Sequence, residues 1–90
     1  MKKAVYKVPN GKLVKISLHD SLGKIEKVQI TGDFFMYPEE RLAELEKHLV
    51  GTLIDEKILI EKIEDFISNT KSTFFGLDAQ SLSHSIIIAI

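Results

Sequence analysis

Apolar and polar positions alternate along the first third of the chain, and then the period changes. Val14, Ile16 and Leu18 stand against Lys15, Ser17 and His19. That period of two predicts a strand over Lys12–Asp20 with one buried face and one wet face. Ala4–Val8 reads as a strand before it. Pro9-Asn10-Gly11 is the turn between them, because Pro presets φ and Asn-Gly accepts positive φ. Ser21-Leu22-Gly23 turns the chain again. Lys24–Thr31 is then a third strand, with Val28 and Ile30 inward and Lys27 and Gln29 outward. Ile25 breaks the alternation, which predicts a bulge or a strand start beside it. Three strands joined by short turns make an antiparallel meander.

From Pro38 the apolar spacing becomes helical. Pro38 suits a first helical position, where a missing N–H costs nothing, and Glu39 and Glu40 suit the positive end of the helix dipole. Leu42, Leu45 and Leu49 form the stripe of this helix, and Gly51 is placed to end it. Asp55 is the expected N-cap of a second helix, whose inward face is Ile60, Ile63, Phe66 and Ile67. Asn69–Thr73 is polar and reads as a loop. Phe74-Phe75-Gly76-Leu77 leads to Asp78, the N-cap of a third helix with Leu82, Ile86 and Ala89/Ile90 inward. Strands followed by helices predict a single α+β domain over residues 1–90, with three helices covering the apolar face of the meander.

One stretch resists this scheme. Phe34-Phe35-Met36-Tyr37 places four large apolar or aromatic side chains where the pattern predicts a loop. Neighbouring side chains diverge, so they cannot all reach one small core, and those left outside need a partner. Phe74 and Phe75 pose the same question before the last helix.

Charge changes the picture more than composition does. The net charge is −1, which argues against nucleic acid as a partner. Yet residues 1–32 hold seven Lys against Asp20 and Glu26, whereas residues 33–90 hold Arg41 and four Lys against eleven acids. The two halves are either solvated faces or, for the first, a basic sheet face that meets an anion. No cysteine is present, which removes disulfides, thiolate nucleophiles and Cys-ligated metal. No apolar run approaches the ~20 residues of a membrane span, and no leader is visible, so a cytoplasmic protein is expected.

Independent catalysis finds little support. His19, His48 and His84 fall in separate elements without repeated ligand spacing, so no metal site is expected. His48, late in the first helix, is placed to ease the dipole. Ser81-Leu82-Ser83-His84-Ser85 lacks the strained turn and geometry of a Ser–His pair. Gly32 stands alone, and neither phosphate-binding glycine pattern occurs. Asp33 reads either as a loop-fixing Asx turn or as an acid beside an active site.

Ile30-Thr31-Gly32-Asp33-Phe34-Phe35, followed by Pro38-Glu39-Glu40, resembles the accessory domain of lipoate–protein ligases. The order of the flanking features is similar too: Gly11-Lys12-Leu13-Val14 before the motif, and Phe75-Gly76 before the last helix. The likeness covers nearly all of residues 8–90, although Ser81–Ser85 has no counterpart in it. It implies a separate small subunit, inactive alone, that pairs with a catalytic subunit and supports ATP-dependent activation of lipoate to lipoyl-AMP. The lipoyl group then passes to a lysine of an acceptor domain. ATP, Mg and lipoate would belong to the assembled enzyme, with none bound by this chain alone and no catalytic residue here. The resemblance points to Thr31, Gly32, Asp33, Phe34, Phe35, Met36 and Tyr37 as the segment approaching the partner. Asp33 would position the loop or a basic partner group, and Phe34 or Phe35 would anchor the interface. Lys12, Lys15 and Lys27 are candidates to face a nucleotide phosphate. Sulfur-acceptor and iron–sulfur scaffold proteins share the outline, but their chemistry needs cysteine. A non-catalytic module docking another protein through the aromatic loop is the alternative.

Overall fold

A computed structural model describes all 90 residues. Strands β1 (Lys2–Lys7), β2 (Leu13–Ser21) and β3 (Lys24–Gly32) pair in the order β1-β2-β3, each antiparallel to its neighbour. Val14, Ile16, Leu18, Val28 and Ile30 are buried, as the alternation predicts. The register shifts between His19 and Asp20, opposite Lys27 and Ile25, and this bulge returns Ile25 to the buried face.

The helical half packs on that face. Helix α1 spans Arg41–Leu49 and helix α2 Glu56–Thr70. Asp55 caps α2 by accepting from the Ile58 N–H at 3.1 Å. Helix α3 (Ala79–Ile88) begins likewise, with the Asp78 carboxylate accepting from the Ser81 N–H at 2.7 Å. Gly51, at φ +85°, stands just past Val50, the C-cap of α1, as expected. Leu45, Leu49, Leu59, Ile63, Phe66, Leu82 and Ile86 close the core over the sheet. The α+β reading of a meander covered by three helices therefore holds.

Four details differ from expectation. Residues 35–37 and 73–75 are strands, β4 (Phe35–Tyr37) and β5 (Thr73–Phe75), which pair antiparallel in a second, two-stranded sheet. Asn69–Thr73 is not a free loop: α2 runs to Thr70, Lys71 takes the left-handed conformation at φ 53°, and the chain enters β5. Helix α1 starts at Arg41 rather than Pro38, because the Pro38 and Glu39 carbonyls accept from the Arg41 and Leu42 N–H groups in tight turns before the regular helix begins. In α2 Leu59 joins Ile63 and Phe66 on the buried face, whereas Ile60 and Ile67 are only half-buried; in α3 Ile90 is exposed while Ala89 is buried.

Serines share the buried surface of α3 with Ala79, Leu82 and Ile86. Ser81, Ser83 and Ser85 are buried, and the Ser85 hydroxyl donates to the Ser81 carbonyl one turn back. The small side chains let α3 lie close to its neighbours. The Ser83 hydroxyl has no partner.

The edges of the meander are treated differently. Along β3, Ile25 exchanges backbone bonds with Gly51 and Thr52, and the Ile30 N–H donates to Glu46 Oε2 at 2.6 Å. That edge is closed by α1 and the segment after it. The outer edge of β1 has no such cover.

Candidate docking site

The segment singled out by sequence becomes one side of the β4–β5 ribbon. Its register places Phe35 opposite Phe75, Met36 opposite Phe74 and Tyr37 opposite Thr73. Strand geometry then sorts the side chains. Met36 points into the core at 4% exposure, and Phe34, just before the strand, is also buried. Phe34 meets Phe74 edge-on, with ring centroids 6.2 Å apart and planes at 81°, a favourable aromatic geometry. On the opposite side Phe35 is 65% exposed, Tyr37 70% and Phe75 57%. Three aromatic rings thus stand in solvent on one face of a small ribbon.

Beside them a groove of about 300 Å³ runs between the end of β3 and the start of α1, lined in part by Ile30, Gly32, Phe35, Met36, Glu39 and Leu42. Gly32 shapes it. Its φ is +147°, and a Cβ there would collide with the Leu13 carbonyl oxygen. Only glycine lets the chain leave β3 against β2 and turn into β4. The next N–H, of Asp33, donates to that same Leu13 oxygen at 3.0 Å.

The Asp33 side chain is exposed, and its carboxylate accepts no hydrogen bond. The Asx-turn reading therefore gives way: the backbone N–H fixes the loop and leaves the carboxylate free. Thr31 and Gly32 are likewise exposed at the rim. At the start of α1, Arg41 Nη1 lies 2.6 Å from Glu44 Oε2. This bond, together with the nearby Glu44 and Glu40 charges, holds the guanidinium above its ordinary pKa.

The three candidate phosphate-facing lysines do not converge. Lys12 lies at the β1–β2 turn against Gly76, Lys15 pairs with Thr31, and Lys27 pairs with His19. Lys15 and Lys27 are four residues out of register on neighbouring strands, which is about 13 Å along the sheet. They line a face rather than a phosphate cradle. The histidines are also spread apart: His84 stacks at 4.8 Å on Tyr6, and His48 at 5.2 Å on Phe66. His48 and Lys47 occupy the last turn of α1, as the dipole favours. No three His, Asp or Glu side chains gather as a metal site would require, and no helix is long and apolar enough to cross a membrane.

Sequence singled out Phe34–Tyr37 and Phe74-Phe75 separately but did not join them. Thr73 and Glu39, both beside the exposed rings, were not identified as part of the site. A cross-strand pairing over some 38 residues leaves no local mark that a single sequence would reveal.

This architecture has known counterparts. A family model described as the bacterial lipoate protein ligase C-terminus matches residues 6–86. Subunit 2 of lipoate-protein ligase A from Thermoplasma acidophilum is 38% identical over 55 residues, covering 61% of this chain and 52% of that protein. The chain thus aligns with about half the length of that relative. A solved structure from a study of the archaeal lipoylation system of Thermoplasma acidophilum, comprising a bipartite lipoate protein ligase and its E2 lipoyl domain, superposes with a TM-score of 0.73 at 30% identity, over 94% of this chain and 90% of that one. With a match spanning almost its whole length, the chain belongs to the lipoate–protein ligase C-terminal domain family.

Proposed function

We propose that this chain is the accessory subunit of a two-part lipoate–protein ligase. It supports ATP-dependent conversion of lipoate to lipoyl-AMP by a separate catalytic subunit in the cytoplasm. The observation that carries this reading is mutual coverage: this chain and its counterpart from the bipartite system match over nearly their full lengths.

The physical case rests on the ribbon. Phe35, Tyr37 and Phe75 form an exposed aromatic face of the kind found at interface centres. Covering it on a catalytic subunit would remove three large rings from water. Thr31, Gly32 and Asp33 sit beside it at the rim of the groove, where the exposed Asp33 carboxylate is available to a basic group on the partner. ATP, Mg and lipoate would be held by that partner. The lipoate carboxylate would displace pyrophosphate at the α-phosphorus, and an acceptor lysine would later displace AMP. A closed accessory domain would keep water from the acyl-adenylate between those two steps.

The test is lipoate- and ATP-dependent adenylate formation by a catalytic subunit lacking this domain, with and without the chain. Activity that appears on mixing supports the reading. Binding without a gain in activity leaves a docking module acting through the same aromatic face, and no binding overturns both.

A further inference from the structure

The outer face of the three-stranded sheet carries a charge pattern that folding does not require. Its outward positions are Lys3, Val5 and Lys7 on β1, Leu13, Lys15, Ser17 and His19 on β2, and Lys27, Gln29 and Thr31 on β3. Four lysines and a histidine share this face, and the acids near it stand at its margins, Asp20 and Glu26 at the bulge and Asp33 past the end of β3. Antiparallel sheets gain from opposite charges on facing strands and lose from like ones. Here Lys3, opposite Ser17, is diagonal to Lys15, and no carboxylate stands opposite Lys15 or Lys27. Lys3, Lys15 and Lys27 have no carboxylate within 4.0 Å; the ion pairs of the molecule are Lys2–Asp20 and Arg41–Glu44. The chain holds eleven acids beyond residue 32, yet none forms an ion pair with a lysine of this face.

Resting on the accessory-subunit reading, we propose that this basic sheet face receives the acidic surface of the protein that accepts the lipoyl group. Charge complementarity gives the sign of the partner. The residue types give its class. Arginine, the residue suited to bidentate phosphate contacts, is absent from the face, and so is any Phe, Tyr or Trp on which a base could stack. What remains is spaced ammonium groups among Ser17, Gln29 and Thr31, which suits carboxylates dispersed over a protein surface. Position separates this surface from the aromatic one. The ribbon adjoins the Lys12–Leu13 and Gly32–Asp33 end of the sheet, which Lys7 and Thr31 also reach, while the rest of the basic face extends away from it, about 13 Å along the strands from Lys15 to Lys27. A catalytic subunit seated on the ribbon would leave the far part of the face, around Lys3, Ser17 and Lys27, for a second partner.

The E2 lipoyl domain of Thermoplasma acidophilum serves as the probe, titrated into the ¹⁵N-labelled full chain. The expected result is amide shift changes at Lys3, Lys15, Ser17, Lys27 and Gln29, largely abolished in about 0.5 M salt, where screening falls to a few ångströms. The triple variant Lys3→Glu/Lys15→Glu/Lys27→Glu should bind at least tenfold more weakly than the native chain with its melting temperature preserved, since all three side chains are exposed. In the reconstituted ligase the variant should raise KM for the lipoyl domain and leave adenylate formation unchanged. Shift changes at Phe35 and Phe75 instead, no change at all, or equal changes with a single-stranded oligonucleotide would overturn the proposal. A chain that binds the lipoyl domain on this face but does not stimulate adenylation would instead overturn the accessory-subunit reading.

Discussion

The meander and the ribbon obey opposite rules. In the meander, alternation sorts apolar residues inward and lysines, serine and glutamine outward, so the solvent face is polar. In the ribbon, alternation sorts Met36 inward and Phe35, Tyr37 and Phe75 outward. Both sheets are anchored to the same core, through Ile16 and Leu18 in one and Met36 and Phe34 in the other. What differs is what each shows to water. Folding asks for a polar outer face on the meander, though not for its excess of lysine, and it does not ask for an aromatic outer face on the ribbon. The contrast separates residues that hold the domain together from residues available to hold something else.

Substitutions can break that separation. Leu18→Ala empties a fully buried site in the meander and should cost about 2–5 kcal/mol, which thermal unfolding would show as a drop of roughly 10 °C or more in a domain of this size. Gly32→Ala strikes the junction between the two sheets. With φ at +147° and the Leu13 oxygen in the way, it should cost about 1–3 kcal/mol and shift the resonances of β4; urea unfolding gives the first and NMR the second. Asp78→Ala removes the cap of α3 and should cost about 1 kcal/mol, with Asp78→Asn recovering most of it. Phe35→Ser/Phe75→Ser should change stability least, by about 0.5 kcal/mol or less per site, as exposed positions do. It should nevertheless weaken association with a catalytic subunit at least tenfold, as measured by calorimetric titration. A ribbon variant that unfolds the protein instead would erase the distinction drawn here.

The meander was readable in the sequence because its information is local. Alternating residues and two turns fix strand, face and neighbour within about ten residues of each other, and even the bulge announces itself at Ile25. Caps are local too, and Asp55 and Asp78 stand where the sequence puts them. The ribbon was not readable, since each strand is three residues long and the partners lie far apart in the chain. Three residues carry no periodicity, so Phe34–Tyr37 looked like a loop with too many rings. The start of α1 was misplaced for a different reason: Pro38 is permitted in a first turn, but here it supplies the carbonyl of a preceding tight turn. Ser81, Ser83 and Ser85 were invisible as core because hydroxyls read as surface until the closeness of α3 to its neighbours is known. At the site, the sequence drew attention to the right rings; it could not say which of them face out.

The Lys12 N–H donates to the Gly76 oxygen at 2.9 Å, and the Asp33 N–H to the Leu13 oxygen at 3.0 Å. Gly11 sits so close that a Cβ would come within 2.7 Å of that Gly76 oxygen. The tip of the β1–β2 hairpin is therefore tied to both strands of the ribbon at its Phe35–Phe75 end. The aromatic face cannot tilt on its own, so whatever grips it also sets the bearing of the lysine-bearing face. Gripping one surface aims the other, and any rotation of the domain turns both together, like two arms of one lever.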